Sequence, residues 1–340
     1  MVARSGPGWQ RPDFEQDWKD ELRRAFTRPE DLLTFLGLPA TVQGGDATGP
    51  TQAFRMLVPH GFAALMERGN PKDPLLRQVL PLAAEAESSP GFSTDPVGDA
   101  GAASARGLLR KYQGRALLVT TPACAIHCRY CFRRHYPYAE AALNRGVSVA
   151  AVAAIAADPS IDEVILSGGD PLMLADEGLA ALIEALAAVP QVRRLRLHTR
   201  LPVVLPSRVT PALCRLLTQT RLQVVLVIHT NHPRELGDVA GQALGQLRAI
   251  GATLLNQSVL LRGVNDDADT LFDLSHGLFR LGVLPYYLHL LDRVQGSAHF
   301  EVPLSRARSL MDALRMRLPG YLVPRLVREQ AGAGSKIAIC

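Results

Sequence analysis

Three of the five cysteines in this 340-residue chain fall within eight positions, Cys124-Ala-Ile-His-Cys128-Arg-Tyr-Cys131, spaced C-x3-C-x2-C. Thiolates crowded onto one short loop are soft ligands that hold a metal or a cluster when they deprotonate together. A structural zinc site would want a fourth ligand, from a second cysteine pair or a histidine pair. Three cysteines instead suit a cuboidal iron–sulfur cluster in which one iron stays open to another ligand. A zinc knuckle, or thiols that are neighbours only in sequence, are the competing readings. Cys214 lies on an amphipathic helical stretch and reads as core, and Cys340 reads as a frayed end.

A second chemical signal is a lysine. The chain has 33 arginines but only 4 lysines (Lys19, Lys72, Lys111 and Lys336), so each lysine is conspicuous. A guanidinium does not form a Schiff base, whereas a primary amine does. Lys336 lies in Ala331-Gly-Ala-Gly-Ser-Lys336-Ile, which fails as a phosphate-binding loop because that motif opens a helix. A flexible tail is the plain alternative. A third signal is Ser167-Gly168-Gly169-Asp170-Pro171, whose two glycines let backbone approach a ligand closely or simply make a tight turn.

These residues need a scaffold, and the hydrophobic pattern supplies one. Apolar, β-branched runs at 115–120, 163–168, 193–198, 222–229, 253–261 and 284–291 read as strands. Helical patterns at 148–157, 176–189, 210–219, 238–250, 268–281 and 305–318 alternate with them. Such alternation requires a parallel sheet with crossover helices, either an open six-stranded barrel or a doubly wound sheet. The run 321–327 is a candidate extra strand. In both architectures function collects beyond the C-terminal ends of the strands. The cysteine loop, the Ser-Gly-Gly-Asp turn, His198, His229 and His232, Gln257 and Arg262, and Asp292 and Arg293 all fall there.

Residues 1–100 read as a helical and irregular N-terminal region, with helices expected at 13–26, 29–36 and 59–68, followed by residues 101–340 as the barrel domain. The Pro-, Gly-, Ser- and acid-rich stretch 70–99 reads as a connector wrapped on the surface. Composition is that of a soluble globular protein, at 47% hydrophobic and 20% charged. No stretch is long and apolar enough for a membrane helix, and the first residues lack the apolar core of a signal peptide. A cytoplasmic location follows as the expectation, where clustered thiols mean metal rather than disulfide. The net charge of +5 is spread along the chain without the basic stripe of a nucleic-acid binder.

Longer strings carry a resemblance. Cys124-Ala-Ile-His-Cys128-Arg-Tyr-Cys131-Phe-Arg133-Arg134, Leu166-Ser-Gly-Gly-Asp-Pro-Leu172, Thr199-Arg-Leu-Pro-Val-Val-Leu-Pro206, Asn256-Gln-Ser-Val-Leu-Leu-Arg-Gly-Val-Asn-Asp266 and Pro285-Tyr-Tyr-Leu-His-Leu-Leu-Asp292 resemble lysine 2,3-aminomutase, a family of the radical S-adenosylmethionine (SAM) superfamily, from about residue 50 to the C-terminus. Pro90-Gly-Phe-Ser-Thr-Asp-Pro96, Cys131-Phe-Arg-Arg-His-Tyr-Pro-Tyr138 and Val294-Gln-Gly-Ser-Ala-His-Phe300 resemble its elongation factor P β-lysylation branch.

The resemblance implies a fold, a reaction and roles. The fold is α/β, a partial (β/α)6 TIM-like barrel of the radical SAM type with an N-terminal helical region. The reaction is an isomerisation that moves the amino group of L-lysine from the α- to the β-carbon, giving β-lysine, in (R) form in this branch. Cys124, Cys128 and Cys131 would ligate a 4Fe-4S cluster, and Ser167, Gly168, Gly169, Asp170 and Gln257 would lie against SAM. Lys336 would carry pyridoxal 5'-phosphate (PLP), with Lys111, Tyr112 and Arg115 around its phosphate. Arg133 would take the substrate carboxylate, while Asp292 and Glu329 would take its side-chain ammonium. Flavodoxin or ferredoxin would donate electrons, and a separate ligase would attach the product to elongation factor P. The sequence departs from the family where Ile337-Ala338 follow the lysine in place of a nearby proline, and where Glu329 stands for an aspartate. On the residues alone, a PLP-independent radical SAM enzyme and a non-enzymatic iron–sulfur or zinc protein stay open.

Overall fold

The computed structural model describes residues 18–44, 54–138 and 145–339. Ten strands form one sheet in sequential order. They are β1 (Ala103–Ala105), β2 (Leu108–Leu109), β3 (Arg115–Thr121), β4 (Glu163–Gly168), β5 (Arg194–Thr199), β6 (Gln223–Ile228), β7 (Thr253–Val259), β8 (Leu284–His289), β9 (Arg325–Arg328) and β10 (Ile337–Ala338). Every neighbouring pair from β3 to β9 is parallel. Each is joined by a crossover helix: Arg145–Ala156, Asp176–Ala187, Pro211–Gln219, Asp238–Ala249, Ala268–Arg280 and Leu304–Arg317. A doubly wound sheet reverses its strand order at a switch point. Here the order never reverses, so the sheet curls as an open barrel. The run at 321–327 does yield a strand, β9, which is the seventh parallel member. The margins are antiparallel, with β1 and β2 on one side and β10 on the other.

Alternation within the strands decides what faces the interior. In β5, Leu195, Leu197 and Thr199 are buried, and the intervening Arg196 and His198 turn inward to a central cavity. In β7, Leu254, Asn256 and Ser258 are buried, while Gln257 and Val259 line that cavity. Successive side chains point to opposite faces, so one residue in two carries chemistry and the other carries the core.

The N-terminal region differs from expectation in detail. The first helix spans Trp18–Arg23, and residues 13–17 of the expected segment lie outside the described residues. It ends early because Phe26 pairs with Val58 in an isolated bridge. Pro29–Leu36 forms as expected and closes on Gly37, whose φ of 69° suits glycine. Only His60–Ala63 of 59–68 is helical, because the amides of Leu65 and Met66 bond three residues back. Leu33, Met56 and Phe62 share one apolar cluster with Leu197, Leu201 and Leu226, so this region packs as part of the barrel wall. Cys214 packs against that cluster as expected, and Cys340 lies outside the described residues.

The stretch 70–99 is not a surface wrap. Leu75, Leu76, Val79 and Leu80 are buried in the core, and Asp73, Gln78, Glu85 and Asp99 are buried as well. Buried carboxylates persist only when paired. Glu85 and Asp99 meet arginines of the cysteine loop, and Asp73 meets Arg234. The segment is a polar strap beneath the site.

Candidate active site

A cavity of about 540 Å³ opens inside the barrel. It runs along β3, with Arg115 at the first residue of that strand and the three cysteines beyond its last. Seven residues at about 3.3 Å each give it a reach of ~20 Å.

The cysteine loop is held from below. Arg129 is fully buried and donates from Nε and Nη2 to the two Glu85 oxygens at 2.8 and 2.5 Å. Arg134 Nη2 donates to the same carboxylate at 2.7 Å. The backbone amide of Arg129 reaches the Gln78 carbonyl at 2.8 Å. Cys124, Cys128 and Cys131 all border the cavity. Burial pushes the Cys124 thiol well up and the Cys131 thiol up to about 11, so loading these ligands must release protons. Among the described residues no three His, Cys, Asp or Glu side chains converge as a single-ion site. A cuboidal cluster takes each thiolate on its own iron.

The glycine pair seats this loop. A Cβ on Gly169 would lie 2.2 Å from the Ala123 carbonyl oxygen, and Gly168 adopts φ 126° beside the Thr121 carbonyl. The Gly169 and Asp170 amides donate to Thr121 and Ala123 at 2.6 and 2.8 Å. The close approach that requires glycine is therefore by the cysteine loop itself, although both glycines also border the cavity. The Asp170 carboxylate is already engaged, accepting from Thr199 Oγ1, the Arg200 amide at 2.7 Å and the Leu172 amide at 3.0 Å. It is raised to about 6 by burial, against those bonds. Asp170 thus joins the ends of β4 and β5. Ser167 Oγ accepts from Arg133 Nη1 at 3.1 Å.

Lys336 is not on a free tail. Ile337 and Ala338 pair antiparallel with Arg328 and Val327, a register that sets Lys336 opposite Glu329. Lys336 Nζ donates to Glu329 Oε2 at 2.6 Å and sits 5.9 Å from the Tyr287 ring centre. Tyr112 donates to Glu329 Oε1 at 2.5 Å, and Lys111 Nζ lies 3.8 Å from the same oxygen. Burial works to raise Glu329, but Lys336 and Tyr112 hold it below the usual carboxylate range. Glu329 therefore meets this chain's own lysine directly, the extra methylene notwithstanding.

Several polar groups that face the cavity lack a hydrogen-bond or ion-pair partner among the described residues. Asp292 makes no side-chain hydrogen bond or ion pair among the described residues, and burial pushes its carboxyl up to about 7. Gln257 Nε2, His198 Nε2 and His289 Nε2 are buried and unbonded. Burial also holds both histidines neutral, well below their usual range. Arg115 stacks on Tyr112 at 5.3 Å and has no ion pair among the described residues. Arg133 is fixed through Nε to Asp99 Oδ2 at 2.7 Å. Asp99 also binds Lys111 Nζ at 2.6 Å.

The structure brings together in one cavity all fifteen residues to which the sequence assigned roles. It excludes others. His232 caps the turn at Pro233–Glu235 and does not border the cavity, Arg262 is exposed, and Arg293 pairs with Glu301 outside it. Sequence reasoning missed Asp99, which lay in the supposed connector. It also missed Tyr287, His289 and Arg325, all cavity-lining. The two-residue period of β8 was the available signal for Tyr287 and His289.

A parallel open barrel with a three-cysteine loop after its first parallel strand defines a radical SAM protein, and residues 118–236 match the radical SAM superfamily. The L-lysine 2,3-aminomutase of Escherichia coli (strain K12) is 48% identical over 321 residues, 94% of each chain. That of Haemophilus influenzae is 47% identical over 322 residues, 95% of each. That of Clostridium subterminale is 33% identical over 95% of this chain and 77% of its own. The chain belongs to the L-lysine 2,3-aminomutase family, which are radical SAM isomerases.

Proposed function

We propose that this protein is a PLP-dependent radical SAM aminomutase that converts L-lysine to (R)-β-lysine for modification of elongation factor P. The observation that carries this reading is one cavity joining three free thiols, a primary amine and an unpartnered carboxylate. Bound there, a 4Fe-4S cluster with SAM supplies a carbon radical, and PLP supplies the π-system across which nitrogen migrates.

The chain's own residues do the rest. Cys124, Cys128 and Cys131 are the cluster ligands. Ser167, Gly168, Gly169 and Gln257 border SAM, and Asp170 ties the end of β4 to that of β5. Lys336 is the amine that takes a carbonyl, and Glu329 Oε2 is placed to accept the proton it must lose first. Arg115, Tyr112 and Lys111 face a phosphate, for which the unpaired Arg115 guanidinium is suited. Arg133, held through Nε by Asp99 and through Nη1 by Ser167, offers its remaining N–H groups to the α-carboxylate. Asp292 receives the side-chain ammonium, with Glu329 beside it. The neutral histidines and apolar walls exclude water.

The (R) product and the elongation factor P link rest on the strings at 90–96, 131–138 and 294–300. Flavodoxin or ferredoxin as electron donor, a separate ligase as consumer and a cytoplasmic location belong to the same reading. No helix among the described residues is long and apolar enough to cross a membrane. Anaerobic incubation with labelled lysine, SAM, PLP and dithionite should yield labelled β-lysine. Borohydride followed by peptide mapping should place a pyridoxyl group on Lys336. An adduct on another lysine would remove Lys336 from its role, and no β-amino product would sink the reaction.

A further inference from the structure

Arg200 follows β5 directly and is 6% exposed. Its guanidinium makes four hydrogen bonds. Nη2 donates to Gln78 Oε1 at 2.8 Å and to Glu235 Oε2 at 2.9 Å. Nη1 donates to Tyr130 Oη at 2.9 Å and to Cys128 Sγ at 2.8 Å. The four partners come from three parts of the chain: Gln78 from the strap, Glu235 from the turn after β6, and Cys128 and Tyr130 from the cysteine loop. The group is also stacked over Phe62 at 5.5 Å. Glu235 is itself locked, with Oε1 accepting from the Asn231 and His232 amides and from Gln78. So much anchoring leaves the guanidinium one orientation, with an N–H edge on a cysteine sulfur.

We infer that Arg200 is a positioning residue that sets the reduction potential of the cluster by donating a cationic hydrogen bond to the Cys128 sulfur. This rests on the cluster reading proposed above. Reduction adds one electron, from an external donor, to a cluster already carrying thiolate charge. A fixed cation at a ligating sulfur stabilises the reduced form more than the oxidised form, and hydrogen bonds to such sulfurs are a principal means of tuning potential. The carboxylate of Glu235 keeps Arg200 in place.

Removing Arg200 alone would strand a buried carboxylate and threaten folding. The informative comparison is therefore wild type against the double variant Arg200→Gln/Glu235→Gln, which removes both charges together, each reconstituted anaerobically without lysine or PLP. The midpoint is read by EPR-monitored redox titration, which reports only chains that carry a cluster. The double variant should be about tenfold harder to reduce than wild type, a midpoint roughly 59 mV lower for a one-electron couple. Should the double variant fail to load, Arg200→Lys serves in its place. A single ammonium cannot span Glu235, Gln78 and the sulfur together, so its midpoint falls below wild type by a smaller amount. An unchanged midpoint in whichever variant loads overturns the role of Arg200. Wild-type protein that takes up no cluster overturns instead the reading on which it rests.

Discussion

Asp292 shows how one side chain trades stability for recognition. Burial raises its carboxyl to about 7, with Lys336 pulling the other way. An acid whose folded pKa exceeds its unfolded value costs stability as pH climbs from about 4 to about 7. Asp292→Asn should therefore be more stable than wild type at pH 8, by about 4 kcal/mol, and little different near pH 4. Denaturant titration at both values checks this. Lysine affinity should move oppositely. In wild type it weakens as pH falls below about 7, and in Asp292→Asn it should be down about 100-fold at pH 8, as for loss of one partner from a buried charge pair, and approach wild type in acid. Calorimetric titration that found pH-independent lysine binding in wild type would refute the assignment. At this scale the sequence was most readable where residue type alone carries chemistry, as for the three cysteines and the rare lysine. Asp99 and His289 were not readable that way, because their significance lies in what they face.

At the scale of elements, the β9–β10 hairpin is what turns Lys336 from a tail residue into a site residue. Its register places residues 329 and 336 opposite each other, and the Ile339 amide bonds to the Leu326 carbonyl at 2.9 Å. Proline at 339 removes that donor. Ile339→Pro should lower global stability by only ~1 kcal/mol, yet weaken PLP binding at least about tenfold by releasing Lys336 from Glu329. Absorbance titration with PLP beside a thermal melt separates the two effects, and equal losses in both would mean the hairpin serves folding alone. The six long strands were legible because buried parallel strands are β-branched runs. The two-residue β10, with both residues exposed, carries no such pattern. Its existence is set by β9, not by its own sequence.

Over the whole molecule, the strap at 73–99 was the largest misreading. Acidic and proline-rich sequence usually lies on the surface, and nothing local announces that Glu85 and Asp99 find their arginines tens of residues away. The charges cancel only in three dimensions. Burial works to raise Asp99, but Arg133 and Lys111 together hold it below the usual carboxylate range. Its stabilisation is thus present above about pH 3.8 and lost as pH falls through the lower folded value. Asp99→Asn should cost ~3–5 kcal/mol at neutral pH, since it leaves two cations without their partner. The gap from wild type should close in acid. Denaturation curves at pH 7 and pH 3 provide the check, and a gap that does not narrow between them would show that packing rather than charge is at stake.

The sheet is open, yet its two margins touch. Tyr112, between β2 and β3, and Lys111 both reach Glu329 just past β9. The ring is fastened there by a clasp of side chains rather than by a backbone ladder. A ladder opens only when strands part, whereas a clasp opens by rotation about a few single bonds and recloses without loss of register. Opening this seam would therefore break no strand pairing of the sheet. Because the fastening carries charge, its strength depends on ionic strength as no backbone ladder's does.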